Sequence, residues 1–215
     1  MSLPEVVVID YGVGNLLSVQ RALERCGANV ILSGDPKKIL SANRVVLPGV
    51  GAFSSAMKAL ESLGLVQTIQ ELDYRGIPLL GICLGMQLLL DQSDEFGKVT
   101  GLGLIPGTVI AVPEHEISGK TQKIPHIGWN SLQPSNSLMG WENTLLQDNK
   151  PGEDVYFIHS FMAVPEDSSC RIADCQYGGH NIAAVIRKNH ITGCQFHPEK
   201  SGEVGLKIIR RFCID

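Results

Sequence analysis

The sequence predicts an α/β fold: a three-layer sandwich around a mostly parallel sheet, with a mixed or antiparallel C-terminal half. Three observations carry that expectation. Short apolar runs alternate with helix-period segments as far as Gln92. Runs of that kind mark strands buried on both faces, and their alternation with helices marks parallel βαβ units. Beyond Gln92 the helical period fades, and strand-like runs follow one another with turns between them.

Val6-Val7-Val8-Ile9 is a continuous β-branched run and opens the sheet. Asp10–Asn15 is the loop after it. Leu16, Val19, Leu23 and Cys26 then recur at helical spacing until Gly27 stops the helix. Asn29–Leu32 is the second strand. Asp35-Pro36 reads as an N-cap with proline at the first helical position, opening a short helix through Leu40. Arg44–Leu47 is the third strand, closed by Pro48-Gly49-Val50-Gly51. Residues 53–75 carry a helical pattern broken near Gly64. Ile77–Ile82 is the fourth strand, and a helix follows from Leu84 with Leu88, Leu89 and Leu90 on its apolar face. In the second half, residues 109–112, 156–158, 182–186 and 191–196 read as strands, with turns at Gly178-Gly179 and Lys188-Asn189. Glu203–Cys213 closes the chain as an amphipathic helix, with Val204, Leu206, Ile208, Ile209 and Phe212 for its buried side.

Composition narrows the class. The 215 residues can build one substantial core, and a single domain over 1–215 is expected. Net charge is −4 with the basic residues scattered, which argues against nucleic acid as partner. No apolar run approaches membrane-spanning length, and Met1–Glu5 lacks a basic signal region. Six cysteines, none in Cys-x-x-Cys spacing, argue against a disulfide framework or a zinc knuckle and for a reducing cytoplasm. Gly12-Val13-Gly14 follows the first strand, but Leu17 stands where a dinucleotide fingerprint needs its third glycine, so a tight turn is the simpler reading.

The chemistry gathers at Gly81-Ile82-Cys83-Leu84-Gly85. A nucleophile flanked by glycines two residues away on each side, between strand and helix, is the layout of a nucleophile elbow. A buried structural cysteine needs no such glycines. The helix N-terminus beside the sulfur favours thiolate over thiol. A thiol nucleophile needs a base, and the base an orienter. His115, His180 and His190 lie in polar stretches or turns, whereas His126 and His159 stand beside strand-like residues. His197 follows the apolar run Gly193–Phe196 and precedes Pro198-Glu199, so Glu199 can hold one imidazole nitrogen while the other faces the thiol. Pro48–Gly51, expected at the same sheet edge, can supply backbone N–H donors to an oxyanion.

Gly81–Gln87 together with His197-Pro198-Glu199 resembles the class I glutamine amidotransferases. Four further stretches are similar to the family of glutaminase subunits that serve imidazole glycerol phosphate synthases. They are Asp10–Asn15, Pro48–Phe53, Pro125-His126-Ile127-Gly128-Trp129-Asn130 and Phe196–Ser201, and they span nearly the whole chain. The resemblance implies a flavodoxin-like fold and hydrolysis of L-glutamine to glutamate and ammonia. It implies Cys83 as nucleophile, His197 as proton shuttle and Glu199 as its orienter. Gly49, Val50, Gly51 and Leu84 would form the oxyanion hole, and Gly51, Gln87 and the Tyr156–Phe161 segment, with His159, Ser160 and Phe161 named within it, would line the glutamine pocket. Ammonia would pass to a separate (β/α)8-barrel cyclase subunit, in a heterodimer whose interface takes in Asn15, Trp129, Asn130 and Lys200. No metal or organic cofactor is implied. Phe161-Met162 departs from the tyrosines frequent there in the family.

Other readings remain open at this stage. A similar amidotransferase subunit serving a surface-sugar or other synthase would share these motifs. A stand-alone cysteine hydrolase would share Cys83 and His197, and a catalytically silent docking module would share the fold alone.

Overall fold

The computed structural model describes residues 4–135 and 140–214. Met1–Leu3, at the head of the segment read above for a targeting signal, lies outside the described residues. The first half runs β1 (Glu5–Ile9), α1 (Leu16–Arg25), β2 (Asn29–Ser33), α2 (Pro36–Ser41), β3 (Arg44–Gly49), α3 (Phe53–Ser62), α4 (Leu65–Arg75), β4 (Leu79–Cys83) and α5 (Leu84–Leu88). Strands dominate thereafter: β5 (Leu90–Ser93), β6 (Val99–Thr100), β7 (Ile105–Ala111), β8 (His126–Ser131), β9 (Gln133–Pro134), β10 (Asp154–His159) and β11 (Phe161–Pro165). β12 (Arg171–Tyr177), β13 (His180–Lys188), β14 (Ile191–Cys194) and α6 (Gly202–Ile214) complete the chain.

The main sheet has eight strands in the order β2-β1-β3-β4-β14-β13-β12-β9. β2, β1, β3, β4 and β14 run parallel, and β13, β12 and β9 extend them antiparallel. The expected parallel sheet with a mixed C-terminal half is therefore what forms. A second sheet of four strands, β11-β7-β5-β6, and an antiparallel β8–β10 ribbon stand beside it. The ribbon's register sets His126 opposite His159.

Burial on both faces explains the uninterrupted apolar runs. Val6, Val8, Val46, Leu80 and Ile82 point to one face and pack with Val19 and Leu23 of α1 and Ile208 and Phe212 of α6. Val7, Ile9, Val45, Leu47 and Leu79 point to the other and pack with Phe53, Leu60, Ile69 and Leu72 of α3 and α4. Each such side chain, fully buried, contributes roughly 1.5–3 kcal/mol. Asp35 caps α2 as expected, accepting the Lys37 N–H at 2.9 Å. Gly64 separates α3 from α4.

Four expectations need correction. The helix after Cys83 is only five residues long, and Leu90, assigned to its apolar face, opens β5 instead. All of Leu84–Leu88 is buried, so the triple leucine marks a wholly enclosed segment rather than one helical face. β4 begins at Leu79 rather than Ile77, and β14 ends at Cys194, before Gln195 and Phe196. β12 is a full strand that the sequence reading omitted. Arg171 and Asp174 interrupt its apolar pattern but pair with each other at 2.8 Å. Among the described residues, no helix is long and apolar enough to cross a membrane.

Candidate active site

β4 delivers Cys83 to the carboxyl edge of the sheet, where ligands bind in open α/β folds. Its backbone sits at φ 54°, a left-handed value that costs a non-glycine residue on the order of 1–3 kcal/mol. The flanking glycines make this turn possible. A Cβ on Gly85 would lie 1.9 Å from the Leu47 carbonyl oxygen, and one on Gly81 would lie 2.7 Å from the Gly85 carbonyl carbon. The sequence-based elbow is thus a steric necessity.

The Cys83 thiol is buried and donates to the Ile158 carbonyl at 3.7 Å, while Gln195 Nε2 donates to the sulfur at 3.8 Å. His197, beyond the end of β14, holds Glu199 Oε1 with Nδ1 at 2.8 Å. Its Nε2 is buried without a partner of hydrogen-bonding geometry. Burial pushes this imidazole down, but the nearness of Cys83, and then the hydrogen bond and charge of Glu199, outweigh it and raise His197 to about 9. Tyr11, after β1, donates its hydroxyl to the Pro48 carbonyl at 2.8 Å and so ties down the backbone entering Gly49–Gly51. Burial, followed by the charge of Cys83, raises its phenol.

A cavity of about 390 Å³ opens on Cys83. Val50, Gly51, Leu84, Gln87, His159, Ser160, Phe161 and His197, all expected at the site, line it. Gly49 lies in the strand beneath, in register with Cys83, and Glu199 stands behind His197. His159 is joined to His126, whose Nδ1 lies 3.0 Å from His159 Nε2. His126 stacks between Phe157 and Tyr177, with ring centroids 4.9 and 4.0 Å away. Burial holds both histidines down at about 4, the charges of His126 and His197 adding to the effect at His159. Among the described residues, no group of three His, Cys, Asp or Glu side chains is arranged to hold a metal ion.

With this geometry in view, comparison with known proteins is direct. Residues 7–215 match the family model "Glutamine amidotransferase class-I". The chain belongs to the class I glutamine amidotransferases. A protein of Legionella pneumophila (strain Lens), named imidazole glycerol phosphate synthase subunit HisH 1, is 52% identical over 96% of this chain and 97% of its own length. A Geobacillus protein named imidazole glycerol phosphate synthase subunit HisH is 45% identical over 95% and 94%. Among solved structures, PurLQS from Thermotoga maritima shares the fold with a TM-score of 0.68 at 20% identity, covering 98% of this chain and 97% of that one.

As a class I glutamine amidotransferase this chain is an enzyme with a flavodoxin-like α/β fold. Ile158, within the Tyr156–Phe161 segment expected at the pocket, lines the cavity, as does Pro125 of the Pro125–Asn130 segment. Two cavity residues of this amidotransferase went unread in the sequence: Glu95, which is buried and accepts the Phe53 N–H at 2.6 Å, and Phe96. Nothing in Asp94-Glu95-Phe96 singles out Glu95, because the signal is the fold-back of β5 that brings it to the start of α3. The absent hydroxyl at Phe161 matters little to the contacts seen. Its backbone carbonyl receives His159 and Gln87, and its ring meets Phe96 edge-on at 6.5 Å. Of the residues expected at an interface, Asn15 and Lys200 are exposed and follow the carboxyl ends of β1 and β14. Trp129 is 58% exposed rather than in the core, and half-buried Asn130 donates to the Gln176 carbonyl.

Proposed function

We propose that this amidotransferase is the glutaminase subunit of an imidazole glycerol phosphate synthase, one cytoplasmic domain over 1–215. The observation that carries the reading is one cavity opening on Cys83 and His197, with Glu199 bound to His197, in a chain about half identical to such subunits over nearly its full length. Glutamine enters with its α-ammonium toward Glu95, the cavity's acidic side chain, and toward Gln87 Oε1. The Cys83 proton passes to His197 Nε2, and the sulfur attacks the carboxamide carbon. The oxyanion is met by N–H groups of Gly49–Gly51 and of Leu84, the first helical residue of α5, whose N–H has no partner within the helix. Collapse breaks the C–N bond as His197 returns its proton to the leaving nitrogen, so ammonia departs and a thioester remains. Water, deprotonated by His197, then releases glutamate. Glu199 holds the imidazole throughout.

The ammonia goes to a (β/α)8-barrel cyclase subunit, where it is built into imidazole glycerol phosphate with release of an aminoimidazole carboxamide ribotide. Val50, Ile127, Trp129 and Ile158 are exposed apolar residues on or beside the cavity elements, which supports a partner that covers this edge. The test is reconstitution with a barrel cyclase. Ligand on the cyclase should raise glutaminase rate strongly, and an electrophilic glutamine analogue should label Cys83 and none of the other five cysteines. Lys200→Ala and Trp129→Ala should spare ammonia-dependent synthesis and raise glutamate formed per imidazole product above one. Full glutaminase activity without the partner would overturn the reading.

A further inference from the structure

The polarity of the hydrogen bonds behind Cys83 follows from one backbone atom. The Phe161 carbonyl oxygen can only accept. It faces Gln87 Nε2 at 3.0 Å and His159 Nδ1 at 2.9 Å, so both must present N–H. The second hydrogen of Gln87 Nε2 goes to Gln195 Oε1 at 3.0 Å. The oxygen of Gln195 is thereby committed, and its Nε2 turns to Cys83 Sγ. Gln195 has no solvent exposure, and turning its carboxamide over would set N–H against N–H at Gln87. A carboxamide is a costly way to fill buried space, because each polar atom needs a partner. Here each end has one.

We infer that Gln195 is a further catalytic residue: its side-chain N–H donates to the Cys83 sulfur and holds the thiolate that attacks glutamine, while Gln87 fixes its orientation. The inference deepens the reading of Cys83 as nucleophile and rests on it. In the resting site the sulfur donates to the Ile158 carbonyl and accepts from Gln195. When the proton leaves for His197, the first contact is lost and becomes repulsive. The second strengthens, since a hydrogen bond to an ionised acceptor is roughly twice as strong as a neutral one. Gln195 therefore favours the form that attacks, and Ile158 the form that rests. The titratable groups around the sulfur are His197 with Glu199 behind it, Tyr11 beneath Pro48, and His159 and Glu95 in the cavity wall.

The test is the rate of Cys83 alkylation by iodoacetamide across pH in the full chain, read site by site by mass spectrometry. Gln195→Met should react about tenfold more slowly at neutral pH and recover the wild-type rate at alkaline pH, a loss equivalent to about one pH unit. Gln195→Glu, which turns an acceptor and a charge toward the sulfur, should be slower still. A residue that only fills space would change stability without that recovery. Should the variants not fold, the wild type labelled with 15N-glutamine carries the test. The Gln195 side-chain N–H resonance should move downfield in the pH step that turns on alkylation, and should stay fixed in Cys83→Ala. Wild-type alkylation of Gln195→Met at every pH, or an unmoved resonance, would overturn the inference. Failure of wild-type Cys83 to react with a glutamine analogue would instead remove the nucleophile reading itself.

Discussion

His197 and His159 line the same cavity, and burial presses both toward the neutral form, yet they end far apart. His197 stands beside Cys83, leans on a carboxylate at 2.8 Å, and is raised by both, Cys83 first, to about 9. His159 leans on a second imidazole at 3.0 Å and is lowered to about 4, as is His126. Burial sets the direction at His126 and His159, and only at His197 do charged neighbours outweigh it. The Phe161 carbonyl makes His159 a donor at Nδ1 and so an acceptor at Nε2, which requires the N–H of His126 Nδ1 between them. Protonating His159 would set its Nε2–H against the His126 Nδ1–H, and protonating His126 would set its Nε2–H against the Asn130 side-chain amide nitrogen 3.4 Å away. The pair is built to stay neutral and hold shape, whereas His197 is built to carry a proton and pass it on.

The largest expected effect breaks the comparison at its centre. His197→Asn should cost glutamine hydrolysis about a thousandfold, within the range typical of a lost general acid–base. His126→Asn and His159→Asn should cost about tenfold or less, through a loosened cavity wall. Steady-state glutamate formation measures all three. A loss at His159 as deep as that at His197 would mean that the proton path runs through the wrong histidine.

A smaller effect sharpens the role of the carboxylate. Glu199→Gln keeps a hydrogen-bond partner for Nδ1 but removes the charge, so activity should fall about a hundredfold, less than in His197→Asn. The His197 titration, followed by NMR, should move down toward the ordinary histidine range. Cys83→Ser should move it in the same direction, because Cys83 is the first of the groups that raise it. An unmoved titration in both variants would assign the raised value to some other source.

The two halves of this comparison were unequally legible in the sequence. Cys83, His197 and Glu199 lie in short local patterns whose physics is local: two glycines demanded by a turn, and a His-Pro-Glu run whose proline opens the short 3-10 turn that folds Glu199 back onto His197. The His126–His159 pair depends on the register of β8 against β10, which are more than twenty residues apart in the chain. No local pattern encodes a register of that kind. β1, β3 and β4 were readable because burial on both faces leaves mostly apolar residues, and β2, a half-exposed edge strand, was readable from its run Val30-Ile31-Leu32. β12 was not, because a half-buried Arg171 paired with a buried Asp174 passes for a surface sequence. Gln195 shows the same limit: its neighbours Gly193, Cys194 and Phe196 read as strand, and nothing local says that the glutamine faces inward.

The smallest effect is on stability, and its sign separates the two kinds of histidine. For His197 the folded value, about 9, lies above the ordinary 6.5. Its contribution is full below 6.5 and is lost as pH rises through about 9. For His126 and His159 the folded value, about 4, lies below 6.5. Their contribution is full above 6.5 and is lost as pH falls through about 4. Denaturant unfolding across this range, read as wild type minus variant, cancels the other titrating groups. The difference curve for His197→Asn should slope only on the alkaline side, and that for His126→Asn only on the acid side, each by on the order of 1–3 kcal/mol. The acid limb belongs to a pair, so His126→Asn should also release His159, which loses its N–H donor and the imidazole beside it, to titrate nearer the ordinary range. The limb would then shrink by more than one histidine's share. A His126→Asn curve that removes only half of the limb would show that burial alone, without the paired geometry, keeps His159 neutral.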